Sequence, residues 1–193
     1  SIRRRDVFWR NVIGYGDQAI RYAETGELVD GSAWKTVLAF YQASQVWPWA
    51  TNDITYQELS NSGELGLIGD MNLRAELTRY YAEGAGDDLN YILSVQPEYR
   101  KIVRGITPVV VSNQIWTNCW KLPNAYDQFL LDCESPMSEA EANAVLANYL
   151  NDPKLLSELR FWNSNQGVAV KLIANNKAAV TAMLVRMEKE TAR

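Results

Sequence analysis

Residues 55–81 read TYQELSNSGELGLIGDMNLRAELTRYY, two helix starts set around one glycine turn, and this stretch decides the fold. Thr55 and Glu58 stand at capping-box spacing, where the hydroxyl accepts a backbone N–H and the carboxylate reaches back to the cap residue. A short helix is therefore expected from Tyr56 to the Ser62-Gly63 turn, glycine being the residue that most readily takes the left-handed backbone of a helix end. Asp70 then caps a second helix, along which Leu73, Leu77, Tyr80 and Tyr81 recur at helical spacing.

The same periodicity extends outward in both directions. Phe8, Ile13, Ala19, Ile20 and Tyr22 predict a first helix from about Asp6 to Glu24, weakened at Gly14 and Gly16 and stopped by Gly26. Trp34, Val37, Leu38 and Tyr41 predict a second from Ser32, ended by Pro48, where Trp47-Pro48-Trp49 makes a stiff aromatic corner. Leu89, Ile92, Leu93 and Tyr99 continue the pattern toward Gly105 with a bend near Pro97, and Thr107-Pro108 opens a helix carrying Val111, Ile115 and Trp116. Residues 122–136 read as a connection with a short helical turn around Tyr126 to Leu131. Ser138 and Glu141 form a second capping box ahead of Val145, Leu146, Tyr149 and Leu150. After Asp152-Pro153, apolar positions from Leu155 through Trp162, Ile173 and Leu184 to Met187 support one long helix, with Asn163 to Gly167 its weak point. No alternating strand pattern of convincing length appears. The expectation is an all-α fold, an irregular multi-helix bundle with a long C-terminal helix, forming a single domain over residues 1–193.

Composition narrows the function. An apolar fraction of 47% is ample for a packed core. A formal charge of −4 disfavours nucleic acid, which is bound by net cationic surfaces that release counterions. The one basic run, Arg3 to Arg5, reads as a solvated terminus beside a domain boundary or membrane. A chain opening at Ser1 rather than Met suggests a processed or excised piece. No internal stretch reads as the roughly 18 to 20 apolar residues that cross a bilayer, so any membrane attachment is expected from a segment upstream of Ser1. Cys119 and Cys133 flank Pro123 and Asn124, which can turn the chain. They are either a bridge closing a loop of about 15 residues, worth about 3 kcal/mol, or two unrelated thiols.

The chain contains no histidine, which excludes Ser-His-Asp and Cys-His catalysis and histidine-ligated metal centres. Two cysteines cannot make a four-cysteine zinc site, no Gly-rich phosphate loop with its lysine is present, and no cofactor or metal is expected. Glu58, Glu64, Asp70 and Glu76 could divide acid and base roles in a carboxylate-dependent hydrolase, but they read more simply as caps and solvated side chains, so no catalytic residue is assigned. Asp87-Asp88 and Asn52-Asp53 do not have the spacing of the acidic motifs of terpene synthases. Seven Trp and ten Tyr are the unusual component, and most belong in the core. A candidate ligand-binding face comprises Tyr56, Arg74, Tyr80 and Tyr81 with Trp49, although for Arg74 a pairing with a nearby Glu is the plainer alternative to an anionic ligand.

Taken as a pattern, Tyr56-x-x-Leu59-x-x-Ser62-Gly63-x-Leu65-x-Leu67-Ile68-x-Asp70-x-x-Leu73-Arg74-x-x-Leu77-x-x-Tyr80-Tyr81 resembles a segment of poorly characterised bacterial membrane-anchored proteins. In that group one N-terminal membrane helix precedes an extracytoplasmic helical domain. The resemblance implies a periplasmic or other extracytoplasmic location at the inner membrane and no particular activity. Arg3 to Arg5 depart from it, since basic residues favour the inner side. The expectation is a non-enzymatic sensing or protein-interaction domain whose partner is a second copy of the chain or a membrane protein. An intracellular helical adaptor is the alternative, followed by the carboxylate-dependent hydrolase.

Overall fold

The structure is a computed structural model and describes residues 2–48, 52–82, 97–124 and 127–191. Among these residues lie eight α-helices and one two-stranded antiparallel sheet, so the fold is predominantly all-α with a long C-terminal helix. The chain divides into two compact units, residues 1–47 with 95–170 and residues 48–94 with 171–193.

The first unit is organised around α2 (Ala33–Gln42), in which every residue except Lys35 is buried. Its N-terminus is closed twice. Ser32 accepts from the Lys35 amide, and Glu139 reaches across to accept from the Ser32 hydroxyl (2.9 Å) and the Ala33 amide (2.7 Å). Those donors hold the Glu139 carboxyl below its ordinary pKa, the Ala33 amide contributing most. Glu139 opens α7 (Glu139–Asn151), whose own start is the expected Ser138/Glu141 capping box. α7 turns Ala142, Val145, Leu146 and Tyr149 into the core, while Leu150, expected among them, is 45% exposed.

Around α2 pack α1 (Ile2–Thr25), α5 (Glu98–Ile106), α6 (Val109–Asn118) and the first part of α8 (Leu155–Thr191). α1 ends where Gly26 takes φ +75°. Phe8, Trp9, Trp47 and Trp162 form an edge-to-face aromatic chain with centroid spacings of 5.2–6.2 Å. Their neighbours direct polar edges inward: Trp162 Nε1 donates to the Ala43 carbonyl, Tyr99 Oη to the Phe40 carbonyl and Trp34 Nε1 to the Cys133 carbonyl. The aromatic surplus therefore fills the core and satisfies backbone oxygens around α2. Asn163 lies against Gly16 and donates to Asp17 (2.7 Å), so the glycine that weakens α1 in sequence is where another helix approaches closely.

The connection after α6 differs from expectation. Trp120–Asn124 (β1) pairs with Asp127–Leu130 (β2), with Trp120 opposite Leu130 and Lys121 opposite Phe129, so residues 127–130 are strand and not a helical turn. Pro123 lacks the N–H that a helix needs, and its side of the hairpin carries the register shift between Lys121 and Asn124. Cys119 and Cys133 are bridged across the base, with Cα atoms 5.1 Å apart, and the Leu131 amide donates to the Cys119 carbonyl (2.8 Å). Arg4 of α1 pairs with Asp127, pulling its carboxyl below the ordinary value. The basic run is therefore partly engaged: Arg5 also donates to the Trp47 carbonyl and lies over its ring.

The second unit contains α3 (Ile54–Asn61), α4 (Met71–Ala82) and the last part of α8. α3 starts two residues before its expected start because Asp53 takes the cap position and Asn52 Oδ1 accepts from the Ile54 amide, leaving Thr55 inside the helix. The Thr55/Glu58 box is thus replaced by an earlier start at which the Asn52 side chain accepts from the first helical amide. Gly63 turns at φ +77°, and Asp70 Oδ1 accepts from the Asn72 and Leu73 amides, as the sequence predicts. In α8, Leu155, Leu159, Trp162, Ala169 and Ile173 are buried, but toward the end Met183 is the buried residue while Leu184 and Met187 are exposed. By length and composition α8 could cross a membrane, which corrects the expectation that no stretch reaches that length. Lys171 and Lys177 interrupt it, and its buried residues face protein.

Candidate functional site

A cleft of about 490 Å³ opens in the first unit, with three chain segments on its walls. α1 supplies Arg10, Gly14 and Tyr15, the turn before α2 and its first turn supply Asp30 and Lys35, and the end of β2 with the stretch after it supplies Leu130, Leu131 and Asp132. Each segment is held for a local reason. Asp30 takes the left-handed backbone (φ 48°), which a short polar side chain tolerates, and Gly31 follows at φ 70°. This reversal sets the Asp30 carboxylate 2.7 Å from Lys35 Nζ. On the opposite wall Asp132 immediately precedes Cys133, so the disulfide and the Trp34–Cys133 hydrogen bond anchor that wall.

Charges of both signs line the cleft. Arg10 is paired with Asp6 (2.9 Å) and Lys35 with Asp30, both at the surface, where such pairs exchange readily with water or a ligand. Tyr15 Oη and Asp132 Oδ1 are 3.5 Å apart, a long hydrogen bond in which the phenol donates. Burial, then the charge of Asp132 and its hydrogen bond, push the Tyr15 hydroxyl up to about 12, so it remains a donor throughout the physiological range. The arrangement offers a phenolic donor, two cations and two carboxylates around one opening, which suits a small polar ligand carrying both donors and acceptors. Among the described residues no group of three or more Cys, Asp or Glu side chains is placed to hold a metal ion.

The residues that the sequence singles out lie in the second unit. Tyr56 of α3 stacks on Tyr81 of α4 (centroids 4.6 Å, 17° between planes), and Tyr80 meets Tyr81 edge to face at 5.0 Å. Tyr80 Oη also donates to Asn176 Oδ1 (3.2 Å) and lines a groove of about 330 Å³ with Arg79, Met183 and Arg186. The three tyrosines thus meet, half-buried. Arg74 is half-buried on the same helix, and among the described residues none makes an ion pair or ring contact with it. Glu76, the nearest candidate partner in sequence, pairs instead with Arg186 (2.7 Å). Trp49 lies outside the described residues. Of the four acids considered for catalysis, Asp70 caps α4 and Glu76 is the ion-pair partner just described.

Sequence reasoning did not single out the cleft in the first unit. Its polar residues come from positions 10–15, 30–35 and 132, and no local spacing joins them. The one signal available was the cysteine pair, which fixes where residues 130–132 must lie once it is bridged. Compared with known proteins, the chain matches no protein-family model, no curated protein and no solved structure.

Proposed function

We propose that this chain is a non-enzymatic recognition domain on the extracytoplasmic, oxidising side of a bacterial membrane, sensing a small polar ligand in the cleft of the first unit. The observation that carries the reading is the cleft wall itself: residues 130–132 run directly into the Cys119–Cys133 bridge. A structural disulfide persists in oxidising compartments and not in a reducing cytosol, which favours this reading over an intracellular adaptor. The absence of histidine removes the commonest catalytic base, and the acids Asp70 and Glu76 are already used in a cap and an ion pair, which favours binding over hydrolysis. The tyrosine cluster of the second unit is a second surface suited to recognition, and a membrane protein or another copy of the chain is its proposed partner class.

The test is a thermal-shift panel of amino acids, small sugars and organic acids on the wild type, followed by Lys35→Met and Asp132→Asn. A compound that raises the wild-type midpoint but has at least a tenfold weaker effect on either variant supports the cleft. Stabilising compounds that act equally on both variants, or none in the panel, argue against it.

A further inference from the structure

Two arginines of α5, Arg100 and Arg104, stand one turn apart in the first unit, and among the described residues no acid pairs with either. Arg100 Nη1 donates to the Ser44 carbonyl (2.6 Å), just past the end of α2. Arg104 Nε donates to Ser44 Oγ (3.0 Å) and its Nη2 to Gln45 Oε1 (3.0 Å). The Arg104 guanidinium also lies 4.9 Å from the ring centroids of both Tyr41 and Trp116. Ser44 and Gln45 are themselves buried, so the side chains that fix the guanidiniums are fixed in turn.

Every partner in this cluster is neutral. Among the described residues no Asp or Glu makes an ion pair with Arg100 or Arg104. The end of α2 supplies about half a negative charge through its aligned peptide dipoles. Two full positive charges against that leave an excess of about 1.5 in a half-buried place, where cations ordinarily find a counter-charge. Burial first, and then the neighbouring Arg100, pull Arg104 down to about 10, the sign expected when positive charge is crowded and unbalanced. Arg100 retains Nε and Nη2, and Arg104 retains Nη1, as donors without a protein acceptor among the described residues. Guanidinium edges held in fixed planes are suited to binding the oxygens of a phosphate or carboxylate two at a time.

We infer that Arg100 and Arg104, fixed against the end of α2 by Ser44 and Gln45, form a binding site for an oxyanion of the phosphate class. An oxyanion carrying between one and two negative charges matches the excess of about 1.5. The stacked Tyr41 and Trp116 rings keep the Arg104 plane in place when the anion is absent. This site shares no residue with the cleft described above and stands independently of it.

Inorganic phosphate is the probe, titrated by calorimetry and thermal melts against sodium chloride at equal ionic strength. The wild type is expected to bind one phosphate, with a midpoint about 3–6 °C higher at ten times the dissociation constant. Arg100→Gln removes a charge-assisted contact and is expected to weaken binding about 10- to 100-fold. Arg100→Lys, which keeps a cation at the end of α2, guards against misfolding and is expected to lose at least half of the shift through loss of the fork. The inference is overturned if phosphate and chloride give the same wild-type melt, or if either variant, folded by circular dichroism, binds phosphate as the wild type does.

Discussion

Removing the Cys119–Cys133 bridge with the double substitution Cys119→Ala and Cys133→Ala should destabilise the first unit by about 3 kcal/mol. The cysteines are 14 positions apart, so the bridge closes a loop of fifteen residues counting both ends. Restricting such a loop in the unfolded chain is worth about 3 kcal/mol at 25 °C. For a chain of this size that is a fall of about 6–12 °C in the midpoint. Alanine is the right replacement because Cys119 is fully buried and a serine hydroxyl there would add its own desolvation cost. The assay is thermal and urea unfolding of the double variant beside the wild type, with hydrogen exchange to locate the change. Protection should be lost first at Leu131, whose amide donates to the Cys119 carbonyl, and along the hairpin. A loss below 1 kcal/mol, or exchange that rises evenly across the unit with no preference for residues 119–133, would refute the reasoning.

Gly14 and Gly16, two residues apart and so on opposite faces of α1, should behave oppositely: a Cβ at Gly14 meets nothing within 4 Å, whereas at Gly16 it runs into the Asn163 carboxamide. Gly14→Ala is expected to stabilise by about 0.5–1 kcal/mol from helix propensity, and Gly16→Ala to lose that gain by displacing Asn163 from Asp17; denaturant midpoints would decide it. Above pH 10 the protein should lose stability, because burial raises the Tyr15, Tyr99 and Tyr149 hydroxyls above their unfolded values. Groups with raised folded pKa values contribute stability that is complete below about pH 10, the unfolded value, and disappears as pH climbs through the folded one, about 12 for Tyr15. Tyr15→Phe should make that loss shallower, and an unchanged alkaline profile in urea melts would count against the Tyr15 environment. Trp162→Ala should cost about 3–5 kcal/mol, since it removes an edge-to-face partner of Trp9 and orphans the Ala43 carbonyl, and a cost under 1 kcal/mol would contradict the core described.

What could be read from the sequence was whatever local chemistry decides alone. The Ser138/Glu141 box, the Asp70 cap and the Gly63 turn each depend on residues within a few positions of one another, and each stands where its pattern put it. The Thr55/Glu58 box failed within the same local logic, because the helix begins earlier, at Ile54, whose amide donates to Asn52. The hairpin was lost for another reason. Its strands are only five and four residues long, and their pairing is stabilised by partners remote in sequence, Arg4 on Asp127 and Cys133 on Cys119. The cleft follows from the same remoteness, since Tyr15 and Asp132 are 117 positions apart and meet only after α1 and the hairpin have both packed. The tyrosines at 56, 80 and 81 were legible as a group because helical spacing and one short turn bring them together.

The measurement that bears most directly on an extracytoplasmic, disulfide-braced recognition domain is the intact mass of the protein isolated from its native cells. The sample is alkylated in denaturant at lysis, with and without prior reduction. The account predicts no alkylated cysteine without reduction and two after it, the signature of Cys119 and Cys133 bridged within one chain in an oxidising compartment. Two alkylated cysteines in the unreduced sample would mean that the native chain keeps both thiols free, and would contradict both the braced cleft wall and the compartment assigned to it.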